Sequence, residues 1–199
     1  MLELLIATRN RNKVREITTL MEDASIALTF HSLEDLGIAE SVEENGTTFI
    51  ENARIKALFY SRFTSLLTIA EDSGLEVSAL GNRPGVYSAR YAGENAGDDE
   101  RIGKLLQELD SVHDRRARFI CAAVLARNNA EVASFSADVR GEIMTRKRGD
   151  FGFGYDPVFF YPLLQKTFAE LLLEEKNRIS HRAAVFRELK DFLGSGFHR

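Results

Sequence analysis

Apolar positions along the chain recur with two periods, one suited to strands and one to helices. Leu2 to Ala7 is a short apolar run and predicts a strand. Arg9, Arg11 and Lys13 follow it, and then Val14, Ile17, Leu20 and Met21 mark one face of a helix that Asn10 or Asn12 could cap. Ile26 to Phe30 predicts a second strand, and Leu33 to Gly46 a polar, acidic loop. Thr48-Phe49-Ile50-Glu51 is a capping-box pattern that opens a helix running to about Phe63. Leu67 to Ala70 predicts a strand that ends in Glu71-Asp72-Ser73-Gly74, with another strand over Leu75 to Leu80 and a turn at Gly81-Asn82-Arg83-Pro84-Gly85. Asp98 is the expected cap of a helix whose inner face is Ile102, Leu105, Leu106 and Leu109. Phe119 to Ala126 and Glu131 to Val139 predict a hairpin joined near Asn128-Asn129. Val158 to Tyr161 is a short strand. Thr167 to Lys176 and Ser180 to Leu193 predict two final helices, the second stopped by Gly194. No repeat or low-complexity linker interrupts this order. The chain reads as α/β, one domain over residues 1–199, with a mixed central sheet and flanking helices.

Composition narrows the function classes. Hydrophobic residues are 44% and charged residues 28%, the balance of a soluble globular protein. No apolar run approaches the roughly 18 residues of a membrane span. Met1-Leu2-Glu3-Leu4 lacks the basic start of a signal peptide, so a cytoplasmic location is expected. With 26 Lys and Arg against 30 Asp and Glu, the net charge is −4. That disfavours nucleic-acid or anionic-membrane partners, yet leaves room for a local cationic site. The single cysteine, Cys121, lies in an apolar run without cationic neighbours and is expected to be a buried packing residue.

Four clusters carry chemistry. Thr8-Arg9-Asn10-Arg11-Asn12-Lys13 joins a strand to a helix N-terminus, where free N–H groups and three cations suit phosphate, although a solvated basic turn has the same composition. Glu43-Glu44 and Glu71-Asp72 offer paired carboxylates to a hard divalent cation, or are simply exposed acidic turns. Gly152-Phe153-Gly154-Tyr155-Asp156-Pro157 presents a ring between glycines for a flat ligand, with Asp156 as an acceptor for a ring N–H; a turn with a core aromatic is the plainer reading. Lys176 with Ser180-His181-Arg182 puts basic groups at the start of a helix, which the helix dipole disfavours unless a polar or anionic ligand compensates. His31, His113 and His198 have no such context.

Taken in order, these segments resemble the inosine triphosphate pyrophosphatase family. The likeness is carried by Ala7-Thr8-x-Asn10-x-x-Lys13-Val14-x-Glu16, Glu44-x-Gly46-x-Thr48-Phe49-x-Glu51-Asn52-Ala53-x-x-Lys56-Ala57, and Asp72-Ser73-Gly74-Leu75. Pro84 to Gly93, Phe151 to Pro157, and Glu174-Glu175-Lys176-Asn177-x-Ile179-Ser180-His181-Arg182 complete it. The resemblance implies a homodimer of two-lobed subunits with an active-site cleft. It implies Mg²⁺-dependent cleavage of non-standard purine nucleoside triphosphates (ITP, dITP, XTP) between the α and β phosphates, which keeps deaminated purines out of DNA and RNA. It further implies that Thr8, Arg9, Asn10, Arg11, Asn12 and Lys13 bind the triphosphate, and that Glu44 and Asp72 hold the metal, with Asp72 also the proton acceptor. Ser73 would contact substrate, and Phe153, Gly154, Tyr155, Asp156, Lys176, His181 and Arg182 would surround the nucleotide. Arg9 and Asn12 replace glycines usual in the family's first loop, and Glu71 replaces an aspartate. A pyrophosphatase for other modified or pyrimidine triphosphates, and a nucleotide-binding protein weakened in catalysis, are the competing expectations.

Overall fold

A computed structural model describes residues 1–22, 24 and 27–195. His198 and Ile26, the predicted start of the second strand, lie outside the described residues. The elements run β1 (Leu2–Ile6), α1 (Arg11–Met21), β2 (Leu28–Ser32), α2 (Phe49–Tyr60), β3 (Leu67–Val77) and β4 (Arg83–Pro84). They continue with α3 (Asp98–Glu108), β5 (Arg116–Arg127), β6 (Ala130–Ile143), β7 (Phe159–Tyr161), β8 (Lys166–Thr167), α4 (Leu173–Ile179) and α5 (His181–Gly194). One eight-stranded sheet has the order β2-β1-β3-β5-β6-β7-β8, with β4 paired to β3. β1 pairs parallel with both β2 and β3, whereas β3–β4, β6–β7 and β7–β8 are antiparallel. The sheet is therefore mixed, as the interleaving of helices with hairpin signals predicts.

The chain divides into two compact units. The first comprises residues 1–72, 121–137 and those from Arg182 on; the second comprises Ser73–Ile120 and Asp138–His181. In the first unit, alternate side chains of the buried strands feed two cores, because successive Cβ atoms point to opposite faces. Leu4, Ile6, Leu67, Ile69, Cys121, Ala123 and Leu125 pack with Ile17 and Met21 of α1 and with Val185, Phe186 and Leu189 of α5. Leu5, Ala7, Ala70, Val124 and Ala126 pack with Ala53, Ala57 and Tyr60 of α2. That two-sided burial explains why Leu2 to Ala7 reads as an unbroken apolar run rather than an alternating one. The core of the second unit is aromatic. Phe119, Phe159 and Phe168 have ring centroids 4.4–5.8 Å apart and pack with Ile102, Leu105 and Leu109 of α3.

Several local expectations are met at named atoms. Asn10, not Asn12, caps α1: its Oδ1 accepts from Asn12 N at 3.0 Å and Lys13 N at 3.3 Å. The Thr48–Glu51 capping box is present in both directions. Asn128 and Asn129 have φ of +52° and +60°, the mirror-image turn that matches hairpin twist. Several expectations need correction, among them the strand drawn to Leu80, which ends at Val77 and gives way to a 3-10 turn over Ser78–Leu80. The two strands drawn on either side of Glu71-Asp72 are one strand, β3, because both acids find partners and the backbone ladder need not break. The segment Thr167 to Lys176 is not one helix but a short strand, a 3-10 turn over Phe168–Glu170 and then α4. α2 ends at Tyr60, short of Phe63. Gly97 rather than Asp98 is the N-cap of α3, and its amide donates to Glu100 Oε2 at 2.7 Å.

Candidate active site

The first unit assembles its functional side chains from β1, α1, α2, β3 and α5. β1 delivers the chain to Thr8, and the Asn10 cap turns it into α1 so that Lys13 lies in the first turn. Lys13 reaches Glu71 on β3, Nζ to Oε1 at 3.0 Å. The same carboxylate oxygen receives Arg182 Nη2 at 3.2 Å, and its other oxygen receives the Cys121 thiol at 3.4 Å. Arg182 Nη1 pairs with Glu16, one helical turn beyond Lys13. Arg182, Glu71 and Glu16 are 2%, 2% and 6% exposed. Charges this deeply buried survive only when paired, and here two cations meet two anions. Burial pushes Glu71 upward, but the Arg182 guanidinium and the Lys13 ammonium outweigh it and hold the carboxyl far below the usual range. Burial likewise opposes the Lys13 charge, and Glu71 and Asp72 more than restore it, so its pKa is raised.

Next to this network, Glu44 from the acidic loop and Asp72 from β3 converge on one cation, Lys56 of α2. Glu44 Oε2 pairs directly with Lys56 Nζ, and Asp72 Oδ1 lies 3.7 Å from it. Asn52, one turn earlier on α2, donates to Asp72 Oδ2 at 3.1 Å and accepts from Gly46 N at 2.8 Å. A Cβ at position 46 would stand 2.7 Å from that Asn52 oxygen, so the loop can approach only as glycine. Burial raises Asp72 above its ordinary value against the pull of Lys56 and Lys13. A carboxylate with raised proton affinity, fixed by an amide, beside a second acid that shares its cation, suits proton acceptance and a hard divalent cation.

The second unit brings together the Phe153 loop, Lys176 of α4 and His181. Lys176 Nζ lies 2.6 Å from Asp156 Oδ2, both side chains being 4% exposed, and 5.1 Å from the centroid of the Phe153 ring. Asp156 Oδ2 also accepts from Phe153 N at 3.0 Å. Gly152 precedes this contact at φ +77°, and a Cβ there would fall 2.1 Å from Asp156 Oδ2. Tyr155 is buried and donates its hydroxyl to Ser88 O at 3.0 Å. His181 is buried against Phe119, with rings 14° from parallel and 4.9 Å apart. Ser73 is partly buried at the start of this unit's share of β3.

The sixteen expected site residues therefore fall into two groups, Thr8 to Lys13, Glu44, Asp72 and Arg182 in one unit and Ser73, Phe153 to Asp156, Lys176 and His181 in the other. Arg11 and Asn12 are exposed. Arg9 turns its guanidinium elsewhere: Nη2 donates to the carbonyls of Ile38, Ala39 and Glu40 at 2.9–3.1 Å. Neither Arg9 nor Asn12 is among the positive-φ residues, so replacing the usual glycines imposes no left-handed strain. Cys121 is buried as expected, and the cations that the local sequence lacks do reach it, from Arg182 and Lys13. Burial and Glu71 nonetheless push its thiol well up, which disfavours the nucleophilic thiolate and fits a packing residue. Sequence reasoning missed Asn52 and Lys56 as site residues. Their signal is legible afterwards: two polar residues four apart on the buried face of a helix that otherwise turns Ala53, Ala57 and Tyr60 inward.

Fold and site together define a mixed α/β protein with a buried acid–lysine centre suited to a metal ion and a polyphosphate. The Ham1 family profile matches residues 4–192, and the chain belongs to that family. A dITP/XTP pyrophosphatase of Geobacillus kaustophilus is 49% identical over 193 residues, covering 96% of this chain and 94% of that protein. One from Geobacter sulfurreducens is 46% identical over 98% of both chains. Among solved structures, a HAM1 protein from Coxiella burnetii superposes with a TM-score of 0.89 at 41% identity, over 98% of this chain and 100% of that one. No helix among the described residues is long and apolar enough to cross a membrane.

Proposed function

We propose that this chain hydrolyses non-standard purine nucleoside triphosphates, ITP, dITP and XTP, to the monophosphate and pyrophosphate. Its relatives named dITP/XTP pyrophosphatases support the reaction class and substrate. The observation that carries the reading for this chain's own residues is the meeting of Glu44 and Asp72 on one cation, beside Lys13. Lys56 shows that the two carboxylates can share a positive charge, and their hard oxygens suit Mg²⁺, which commonly takes one or two protein carboxylates plus water and phosphate oxygens. Glu44 and Asp72 would hold that ion, which neutralises phosphate charge and polarises the anhydride.

Within this reading Asp72 orients a water and accepts its proton as the water oxygen bonds to the α-phosphorus. The bond from the α-phosphorus to the bridging oxygen breaks, and the electron pair leaves with pyrophosphate. Lys13, in the first turn of α1, stabilises charge on the departing phosphates. Asn52 fixes Asp72, and Arg182 acts through Glu71, keeping Lys13 charged and in place. In the second unit Phe153 stacks under the base, while Lys176 and His181 select a 6-oxo acceptor over an adenine amino donor, a distinction that unpaired polar groups make large. A homodimer acting in the cytoplasm completes the proposal. The test is pyrophosphate release from a panel of triphosphates with and without Mg²⁺. The reading expects ITP, dITP and XTP to be cleaved far faster than ATP or the pyrimidine triphosphates, and only with the ion; equal rates across the panel would sink it.

A further inference from the structure

The Phe153 loop is held from two sides, and only one of them is local. Phe153 N donates to Asp156 Oδ2 at 3.0 Å, three residues away. The next amide, Gly154 N, donates to Asp98 Oδ2 at 2.7 Å, across 56 residues of sequence. Asp98 sits in the first turn of α3 and is itself oriented: its other oxygen pairs with Arg101 Nη2. Arg101 in turn anchors through Nη1 to the carbonyls of Ala89 at 2.6 Å and Ala96 at 2.9 Å. Gly154 has φ +63°, in the left-handed region that glycine adopts without a steric penalty. Two consecutive amides thus meet two carboxylates, one tied to Lys176 and one to Arg101. Holding both amides fixes the peptide planes on either side of Phe153, and with them the direction in which its Cα–Cβ bond carries the ring.

We propose that Asp98, oriented by Arg101, is the positioning residue that presents Phe153 to the purine base. The inference rests on the reading of the Phe153 loop as the base site. Asp98 touches no substrate; it acts through the Gly154 amide. Its removal therefore weakens binding at the base end and leaves binding at the phosphate end alone, which a general loss of fold does not do.

The experiment measures binding of inosine monophosphate and of inorganic tripolyphosphate to the full chain, by calorimetry, for the wild type, Asp98→Ala and Asp98→Asn. A charge-assisted hydrogen bond of this kind is worth roughly tenfold in affinity. Asp98→Ala is expected to weaken inosine monophosphate by about that factor while tripolyphosphate changes less than about twofold. In turnover, KM for ITP rises by a similar factor and kcat stays within about threefold. Asp98→Asn keeps an acceptor for Gly154 N and is expected to recover part of the loss. Amide exchange at Gly154 reads the contact without any ligand and is expected to quicken in Asp98→Ala. Should that variant not fold, Arg101→Met, which frees Asp98 without deleting it, is measured in its place. Equal losses for both probes, or unchanged inosine monophosphate affinity, would overturn the role of Asp98. A wild type that binds inosine monophosphate no better than ribose 5-phosphate would remove the base-site reading itself, and Asp98's role with it.

Discussion

The two units hold their functional groups by opposite means. In the first, charge holds charge: Lys13, Glu71, Arg182 and Glu16 form a buried chain of alternating sign, and Lys56 bridges Glu44 and Asp72. In the second, carboxylates hold backbone: Asp156 and Asp98 grip the amides of Phe153 and Gly154, while aromatic rings shape the surroundings. A charge network can hand one of its cations to an anionic ligand or take up another, because Coulomb forces are long in range and weakly directional. A hydrogen-bonded loop keeps a shape. The difference is the one expected if, as proposed, the first group of residues handles phosphates and metal and the second recognises a base.

The comparison breaks most severely at Arg182. Arg182→Ala leaves Glu71 and Glu16 buried without their guanidinium. Removing one partner of a buried ion pair costs about 3–5 kcal/mol, and here two acids lose the same guanidinium, although Glu71 keeps Lys13. Denaturant unfolding is expected to show a loss in that range; a change under about 1 kcal/mol would mean that water solvates the network. Asp72→Asn comes next and is expected to separate stability from chemistry. Burial already disfavours the charge of Asp72, so a neutral side chain of the same shape is expected to leave the melting temperature nearly unchanged. Turnover is expected to fall at least about 10²-fold, the scale of a positioned general base. Activity within a few-fold of wild type at saturating Mg²⁺ would end its role as proton acceptor.

The second unit is broken at Gly152. Alanine there puts a Cβ 2.1 Å from Asp156 Oδ2 and forces a side chain to φ +77°. Strain of this kind costs about 1–3 kcal/mol. Gly152→Ala is expected to weaken inosine monophosphate several-fold and to spare tripolyphosphate, the opposite of what Lys13→Ala does. Parallel losses for both probes in both variants would dissolve the division of labour between the units.

How far the chain could be read without its structure follows the same line. Elements whose cause is local were legible: the Asn10 cap, the Thr48–Glu51 box and the Asn128-Asn129 turn each depend on a few neighbouring atoms. The mixed sheet followed from helices interleaved with hairpins. β3 was not legible as one strand, because Glu71 and Asp72 look like a break until Lys13, Arg182, Asn52 and Lys56 arrive from other elements to satisfy them. The segment after Thr167 misled for a related reason. Phe168 and Ala169 are buried beside a capping turn, and their spacing imitates a helix that the chain does not form until Leu173. Candidate site residues could be named from their motif order, but the distant partners could not: Glu71 for Lys13, the Ile38–Glu40 carbonyls for Arg9 and the Gly154 amide for Asp98 all come from other elements.

Arg9 is the mildest test and the one that most directly sets local reading against structure. Its place among Thr8 to Lys13 predicts a phosphate contact. Its guanidinium instead spans the carbonyls of Ile38, Ala39 and Glu40, with one NH₂ group facing three acceptors. Two protons cannot serve three acceptors with good geometry, and Arg9 is exposed, so water competes throughout. The net worth of such contacts is about 0.5–1.5 kcal/mol at most. Glycine would also add freedom to the unfolded chain, costing up to about 1 kcal/mol. Arg9→Gly is therefore expected to lower stability by no more than about 2.5 kcal/mol and to change tripolyphosphate affinity less than about threefold. Lys13→Ala, removing the cation that faces Glu71 and Asp72, is expected to lose at least about tenfold in the same titration. If Arg9→Gly instead lost affinity on the scale of Lys13→Ala, the guanidinium would have to leave the loop carbonyls when phosphate binds. Arg9 would then rejoin the phosphate site that its place in the sequence predicts.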